Sequence, residues 1–235
     1  MAILEFSGVS KQYGALRPLR LEQFAVGEGQ LITLMGLDQP AAEVFIHLAT
    51  GGTLPDSGRV EAFGRATSDI TDSQEWLASL ERFGIVSDRA AIIDALSVVQ
   101  NLAIPFSLEI EPPAPEVREQ ALALAREVKL PEAAWDLAVG ELSQADRMRV
   151  KLARALAFAP GLLLVEHPTA AIERSDVTAF AADLRSVVTG RGLGAVVMSM
   201  DREFADALGA TMLMLEPATG KLTEQRRKGF RFWSR

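Results

Sequence analysis

The chain has 235 residues, none of them cysteine, and its 31 acidic and 24 basic side chains give a net charge of −7. The lack of thiols excludes disulfides and thiolate-bound metal sites, and the acidic balance argues against a nucleic-acid partner. Its 49% hydrophobic residues can form a substantial core, yet no run of roughly 18 apolar residues could span a bilayer. Since the N-terminal stretch MAILEFSGVS is too polar for a signal peptide, we expect a cytoplasmic protein with peripheral membrane contact only.

Short alternating segments fill the first 65 residues, namely ILEFSGV, LRLEQFAV, QLITLM and RVEAF. Alternation of apolar and polar residues, bounded by glycine, proline and aspartate, predicts antiparallel strands joined by turns. Residues 41–50 then carry several apolar side chains before the pair Gly51 and Gly52. This pattern predicts a short buried helix that ends at the glycines.

The segment from Thr71 to Leu156 is mostly helical in pattern. PEVREQALALAREVKL places its apolar residues along one stripe, and SQADRMRVKLARALAFA runs as a second helix to Pro160. The continuous apolar run GLLLVEHP predicts a strand buried on both faces. DVTAFAADLRSVVTG, GAVVMSM, REFADALG and TMLMLEP then alternate helix with strand, which is typical of a parallel sheet.

These elements predict a single α/β domain over residues 1–235. Residues 1–87 and 157–222 would form a parallel-sheet core with an antiparallel β layer, and residues 88–156 a helical subdomain inserted in it. Residues 223–235 would form a basic tail, rich in arginine and aromatic side chains. The tail has two interpretations, a solvated C-terminus or a contact with anionic lipid or a partner.

One loop has the position of a phosphate-binding loop but lacks its residues. GLDQPAAE, Gly36 to Glu43, follows the apolar run LITLM and leads into a helix. A working loop reads G-x-x-x-x-G-K-[ST], where backbone N–H groups wrap the phosphates, the lysine reaches the terminal ones and the hydroxyl holds magnesium. Ala41, Ala42 and Glu43 occupy the glycine, lysine and hydroxyl positions, so only Gly36 remains.

The stretch ELSQADRMRVKLARALAFAPGLLLVEHPTAAIE resembles the signature loop, following helix and acidic strand of the ATP-binding subunit of ATP-binding cassette (ABC) transporters. Leu142 and Ser143 match the start of that family's LSGGQ signature, and Pro168 and Thr169 match the turn after its acidic strand. The resemblance extends over nearly the whole chain. It implies the ABC nucleotide-binding domain, with a P-loop NTPase-like parallel sheet core, an antiparallel β subdomain and a helical subdomain.

The resemblance also implies where the nucleotide site lies, at Tyr13, Gly36, Ala41, Ala42, Glu43, Asp88, Ser143, Glu166, His167 and Met200. Glu166 replaces the family's magnesium-supporting aspartate, and His167 replaces the glutamate that polarises the attacking water. Asp88 falls on the glutamine-loop position, and Met200 on that of the switch histidine. Tyr13 matches the aromatic residue that stacks on adenine, although it reads equally well as a surface tyrosine in a turn.

The loss of lysine, hydroxyl, base, glutamine and histidine removes the positioned charges on which phosphoryl transfer depends. We therefore expect no catalytic residue, no metal ligand and no cofactor, although the resemblance implies ATP and magnesium for the family. Glu43 and Glu166 should lie near each other where magnesium would bind, with His167 or an arginine neutralising them. A metal held by Glu43, Glu166 and His167 is a weaker alternative that rests on ligand type alone.

The sequence thus predicts a catalytically degenerate ABC transporter ATP-binding subunit. Such a subunit would dock a membrane permease at the inner face of the membrane, through the stretch Asp94 to Phe106, and would pair with a competent ATP-binding subunit or with itself. Two alternatives remain open: a regulator that binds ATP without hydrolysing it, and a soluble scaffold whose nucleotide pocket is empty.

Overall fold

The computed structural model describes residues 1–225 of the chain. The strands are β1 (Ala2–Lys11), β2 (Leu19–Gly27), β3 (Leu31–Met35), β4 (Ser57–Ala62), β5 (Arg65–Ala66), β6 (Phe83–Val86), β7 (Leu162–Glu166), β8 (Gly194–Met198), β9 (Thr211–Glu216) and β10 (Lys221–Glu224). The α-helices are α1 (Gln39–Ala49), α2 (Ser73–Leu80), α3 (Val98–Ala103), α4 (Pro115–Glu127), α5 (Gln144–Ala155), α6 (Arg174–Arg191) and α7 (Arg202–Leu208).

Four strands form the antiparallel layer, in the order β2-β1-β4-β5. The inward side chains of β1 include Leu4 and Phe6, both fully buried, as its alternating pattern predicts. The Phe6 ring stacks on Phe45 of α1 with 4.7 Å between ring centroids, and it meets Phe24 of β2 edge-on at 5.9 Å. This aromatic contact joins the antiparallel layer to the helix that follows the phosphate-loop position.

The second sheet has the order β10-β9-β3-β8-β7-β6. The segment QLITLM was expected in the antiparallel layer, and that expectation was wrong: β3 lies in this second sheet and pairs parallel with both β8 and β9. The physical reason is burial on both faces, since Ile32, Thr33, Leu34 and Met35 are consecutive buried residues. A strand covered by helices on one side and by the antiparallel layer on the other has no need of alternation.

Three strands, the two-residue β5 and the longer β6 and β10, were missed by the sequence patterns. Phe83–Val86, inside a stretch predicted as mostly helical, forms the edge strand β6 and pairs parallel with β7. A four-residue apolar run is too short for its periodicity to separate strand from helix. The predicted tail of residues 223–235 begins inside β10, which pairs antiparallel with β9. Residues 226–235, which carry most of its basic and aromatic side chains, lie outside the described residues.

The strand predicted from GLLLVEHP is confirmed as β7, buried along its whole length. Leu163 and Val165 pack into the apolar cluster on the side of α5 and α6, and Leu162 and Leu164 pack into the cluster on the side of α1 and the antiparallel layer. The same first cluster continues through the buried faces of α3, α4 and α5. One apolar core therefore joins the sheet to the helical layer.

The two helices predicted in the middle of the chain are present. The apolar stripe of α4 is buried. The second helix, α5, ends at Ala155 rather than at Pro160, because the backbone of Leu156 already caps its last turn. Gly84 of β6 explains how closely α5 packs on the sheet edge, since a Cβ there would lie 2.7 Å from the Ala155 carbonyl oxygen.

Candidate functional site

The phosphate-loop position is folded into the first turn of α1. The helix starts at Gln39, two residues earlier than predicted, and Asp38 is its N-cap. The Asp38 carboxylate accepts a hydrogen bond of 2.9 Å from the Ala41 N–H, and its carbonyl accepts one of 2.9 Å from the Ala42 N–H. Pro40 has no N–H to offer. The N–H groups of Ala41 and Ala42 are thus bonded to Asp38, Pro40 has none, and a carboxylate lies at the helix N-terminus, where an anion would otherwise bind.

Gly36 is the one residue of the loop pattern that is retained, and packing accounts for it. Its φ is 93°, and a Cβ at this position would lie 2.7 Å from the Leu215 carbonyl oxygen of β9. The side chains of Ala41 and Ala42 point into the apolar cluster under the antiparallel layer. All three positions are therefore explained by the fold without a bound phosphate.

A guanidinium joins the two carboxylates of the magnesium position. Glu43 lies on α1 just after its first turn, and Glu166, only 2% exposed, is the last residue of β7. The Arg89 Nη2 atom lies 2.9 Å and 3.0 Å from the two carboxylate oxygens of Glu166, and Nη1 contacts the Glu43 carboxylate. The prediction that an arginine would neutralise these two glutamates is confirmed, and His167 is not the partner. We call these three residues the arginine bridge.

The charges of the arginine bridge reinforce one another. The hydrogen bond from Arg89 holds the pKa of Glu43 below its ordinary value, and the same bond raises the pKa of Arg89. The Arg89 guanidinium, fixed between the two carboxylates, places a single positive charge where the family's divalent metal would lie. The residues present consequently do not fit a magnesium ion at this position, since binding the metal would require breaking both contacts of Arg89.

The glutamine-loop position is turned towards the helical layer. The buried ammonium of Lys151 on α5 lies 2.7 Å from the carbonyl oxygen of Asp88 and 2.9 Å from its Oδ1 atom. Asp88 is therefore held away from the acidic strand, and its neighbour Arg89 faces Glu166 instead. The sequence patterns did not single out Arg89; the signal available was a basic residue next to the glutamine-loop position.

His167 and Met200 line a cavity of about 490 Å³ beside the N-terminus of α1. His167 has a left-handed φ of 40°, and its Nε2 atom is buried without a hydrogen-bond partner among the described residues. The Asp201 carboxylate, in the same cavity, accepts hydrogen bonds from Thr169 and Arg174. His167 thus has no carboxylate to orient or activate it as a general base. Among residues 1–225, no group of three histidine or acidic side chains is arranged to hold a metal.

The signature position is also closed by a side chain. Ser143 is the N-cap of α5, and its Oγ atom accepts a 3.1 Å hydrogen bond from the Asp146 N–H and donates one of 3.0 Å to the Asp146 carboxylate. Arg149 bonds the other oxygen of that carboxylate at 3.0 Å. Gln144 and Ala145 follow Ser143, at the positions where the family resemblance implies glycines. The start of α5 therefore presents a paired carboxylate where the family's glycines let the backbone approach a phosphate.

Tyr13 borders the same edge of the molecule. It packs partly buried against the apolar cluster of the antiparallel layer and lines a cavity of about 190 Å³ together with Leu37, Ala41 and Met200. Burial, and after it the nearby Asp38 carboxylate, raises the pKa of Tyr13. Its role as an adenine platform stays a prediction.

A wider groove lies on the far side of Arg89. It measures about 610 Å³, and its apolar walls come from α1, α2 and β6, at Ile46, Trp76, Leu80 and Ile85. The stretch Asp94 to Phe106, expected to receive a permease, is mostly interior, because Val98, Val99 and Leu102 are buried in the core of the helical layer. The open groove thus begins at the loop before α3 and runs towards α2.

Comparisons with known proteins agree with this fold. A family model described as ABC transporter matches residues 22–170. The lipoprotein-releasing system ATP-binding protein LolD of Psychrobacter arcticus is 26% identical over 91% of this chain and 96% of its own length. A probable ABC transporter ATP-binding protein of Azorhizobium caulinodans is 30% identical over 86% of this chain and 69% of its own. The sulfate/thiosulfate import ATP-binding protein CysA of Methylococcus capsulatus is 28% identical over 86% of this chain and 57% of its own.

Solved structures give the same answer for the fold. The dimeric ATP-binding cassette MJ0796, bound to ADP and Pi, superposes with a TM-score of 0.75 at 23% identity, over 97% of this chain and 100% of that one. CbiO1 of Clostridium perfringens, part of the transporter complex CbiONQ, superposes with a TM-score of 0.79 at 18% identity, over 94% of this chain and 87% of that one. With the family model matched over residues 22–170, these likenesses lead to one conclusion: the chain belongs to the ABC transporter family and has the fold of its ATP-binding cassettes.

Proposed function

We propose that this chain is a catalytically degenerate ATP-binding subunit of an ABC transporter, one that does not hydrolyse ATP but pairs with a competent subunit and docks a membrane permease. The arginine bridge is the observation that carries the proposal, since Arg89 binds both Glu43 and Glu166 at the family's magnesium position. ATP and magnesium are the ligands of the family. In this chain, Glu43 and Glu166 pair with Arg89, so these charges are not available to bind ATP or magnesium.

The argument against hydrolysis rests on where charge is available. Phosphoryl transfer is catalysed by cations that neutralise the phosphates and by a base that orients the attacking group. Ala42 provides no ammonium, Arg89 is engaged by two carboxylates, and His167 has no partner that would raise its basicity. Asp38 adds a negative charge at the helix N-terminus that would repel a phosphate.

The groove beside the arginine bridge suits a docked helix. An amphipathic helix binds by placing an apolar face in an apolar groove, and Ile46, Trp76, Leu80 and Ile85 form such walls. Across residues 1–225, no helix has the length and apolar content needed to cross a bilayer. Membrane association would accordingly depend on the permease. LolD and CysA are named for lipoprotein release and sulfate import, and the substrate of this chain is not implied by either name.

A competent partner subunit follows from the family's dimeric arrangement. MJ0796 was solved as a dimer of cassettes. In a pair with a competent subunit, this chain would present Ser143 and the N-terminus of α5 to the partner's nucleotide. Because Asp146 closes that terminus, we expect the partner's phosphate loop to carry the turnover. Pairing of the chain with itself would leave no competent site.

Phosphate release by the purified chain tests the absence of hydrolysis. We expect release from Mg-ATP to equal that of buffer, and Glu166→Gln to leave it unchanged. A rate that is well above buffer and disappears in Glu166→Gln or His167→Ala would overturn this part of the proposal.

Co-purification from native membranes tests docking. We expect a permease and a second ATP-binding subunit to be recovered with the wild-type chain, and the permease to be lost with Leu80→Asp, which puts a charge on the groove wall. Leu108→Asp is the matched control, because Leu108 is exposed and lies outside the groove. Recovery of the chain alone would instead favour the scaffold.

A regulator that binds ATP without hydrolysing it is favoured by one observation, the position of Tyr13 beside Met200 and the α1 N-terminus. Titration calorimetry of the isolated chain with Mg-ATP separates this candidate from the main proposal. Binding heat that is lost in Tyr13→Ala would favour the regulator.

A further inference from the structure

We propose that residues 87–97, here called the connecting loop, form a fixed strut that holds the helical layer against the parallel sheet without any nucleotide. This inference rests on the proposed function in one respect, namely that Mg-ATP does not displace Arg89. It goes further because it assigns the arginine bridge a conformational task and makes the groove wall independent of ligand.

On the sheet side, the strut is anchored by the arginine bridge. Arg89 reaches from the connecting loop to Glu166 at the end of β7 and to Glu43 on α1. Glu166 is almost fully buried, and both of its oxygens bond the same nitrogen of Arg89, at 2.9 Å and 3.0 Å. A buried carboxylate left without its partner is strongly unfavourable, so the contact resists opening.

On the helical side, the strut is anchored by two buried residues. Lys151 of α5 bonds both the carbonyl and the carboxylate of Asp88. The Asn101 side chain, fully buried on α3, accepts a 2.9 Å hydrogen bond from the Ile93 N–H and donates to the carbonyls of Ile93 at 2.9 Å and Leu96 at 3.2 Å. The connecting loop is therefore bonded to the helical layer at Asp88 and again at Ile93 and Leu96, and the residue after Asp88, Arg89, is bonded to the sheet side.

The consequence concerns the groove. Ser87, Arg89 and Ala90 of the connecting loop form part of its wall. A ligand can move a conformational equilibrium only by binding one state more tightly than another. Here the cation between Glu43 and Glu166 is the side chain of Arg89, which is part of the chain and does not dissociate. The groove wall formed by the connecting loop is therefore held in one position. A permease helix in this groove would meet the same surface whether or not ATP is present.

Hydrogen exchange on the full-length chain, followed by mass spectrometry, measures this directly. The reporter amides are those of Arg89, bonded to the Ser87 hydroxyl at 3.0 Å, and of Ile93 and Leu96 in the helical-side anchor. We expect slow exchange of these amides in the wild type, with no change on adding millimolar Mg-ATP. Arg89→Met should speed their exchange by about tenfold or more, because the loop then opens locally.

Arg202→Met is the matched control, since Arg202 has the same 45% side-chain exposure as Arg89 and bonds Asp206 on the surface of α7. It should leave the connecting loop unchanged. If Arg89→Met does not fold, Arg89→Lys is the second variant. Its single ammonium retains the charge but cannot bond both glutamates as the two guanidinium nitrogens do, so the amide exchange rates should increase less, and only in the connecting loop.

Two results would overturn the strut: wild-type exchange as fast as in exposed turns, or equal protection in Arg89→Met and the wild type. Slowing of the loop amides by Mg-ATP would overturn it as well, and would count against the proposed function too. A protected loop in a chain that recovers no permease from membranes leaves the strut intact and rejects only the docking role.

Discussion

The interior of the parallel sheet and its carboxyl edge differ in how closely they follow the family pattern. In β7 the residues from Leu162 to Val165 are apolar and fully buried, as the fold requires. One residue later, Glu166 and His167 differ from the aspartate and glutamate that the family resemblance implies at these positions. The same contrast separates β3 from the loop Gly36 to Glu43. The fold is stabilised by the buried interior, so residues at the edge can change without loss of the sheet.

Several polar and charged groups at the carboxyl edge of the sheet are paired with one another. Asp38 bonds the N–H groups at the start of α1, Arg89 neutralises two carboxylates, and Asp146 covers the start of α5. Unsatisfied donors and unpaired charges are costly when they are withdrawn from water. At the phosphate-loop, magnesium and signature positions an internal group therefore occupies the place of a phosphate or metal contact, whereas the Nε2 atom of His167 has no partner among the described residues.

The largest effect should come from the interior. Leu164→Ala removes a fully buried side chain between β7 and α1 and should lower the free energy of unfolding by about 3 kcal/mol through lost transfer energy and the cavity left behind. Chemical denaturation measures it. Leu77→Ala, an exposed position on α2, is the control and should change stability by less than about 0.5 kcal/mol. A loss below about 1 kcal/mol at Leu164 would contradict the comparison.

Rebuilding the phosphate loop should cost stability without restoring turnover. The triple variant Ala41→Gly, Ala42→Lys and Glu43→Ser recreates the family's residues but puts an ammonium on a fully buried position and breaks one arm of the arginine bridge. We expect a loss of about 2 kcal/mol. Phosphate release should stay at the level of buffer, because Asp38, Arg89 and His167 are unchanged. Clear turnover by this variant would show that the other losses at the edge are unimportant.

The sequence predicted the fold better than it predicted the edge. β7, α4 and α6 have long or continuous patterns, and they were identified correctly from those alone. β3 was given the wrong partners because alternation cannot be judged in a five-residue run, and the four residues of β6 are shorter still.

At the site, the pairing of Glu43 with Glu166 could be predicted from the spacing of the family's motifs, and the need for a cation followed from their charge. Which cation could not be predicted. The choice of Arg89 depends on the path of the loop after β6, and that path is fixed by Lys151, which lies 63 positions away from Asp88 in the chain. The N-cap role of Asp38 could have been found, since aspartate is a preferred N-cap residue and proline is tolerated in the first turn of a helix.

Removing the N-cap of α1 should have a smaller effect on stability and should make the N-terminus of this helix accessible to an anion. Asp38→Ala deletes the acceptor for the Ala41 N–H and should lower the free energy of unfolding by about 1 kcal/mol. It also removes a negative charge, so inorganic phosphate should stabilise this variant more than the wild type in thermal unfolding. Asp72→Ala removes the N-cap of α2 and is the control. It should lower the free energy of unfolding by a similar amount, and phosphate should not stabilise it more than the wild type. Equal phosphate responses in both variants would mean that Asp38 does not exclude the anion.

The smallest effect should come from the exposed arm of the arginine bridge. Glu43→Gln removes one charge that Arg89 contacts, but the Glu43 side chain is 40% exposed and solvent screens the pair. After that discount we expect a loss of about 0.5 kcal/mol near neutral pH. Glu109→Gln, on the exposed loop before α4, is the control and should change nothing measurable.

The pH dependence of this loss has a defined sign. Arg89 lowers the pKa of Glu43 in the folded chain below the ordinary value of 4.5, so the pair stabilises the fold above that value. The stabilisation falls as the pH drops from the unfolded pKa through the lower folded pKa, because both states then bind the proton. Wild type and Glu43→Gln should therefore differ by a constant amount around neutral pH and converge in acid. A difference that instead grows in acid would mean that the protonated carboxyl, rather than its charge, holds Arg89 in place.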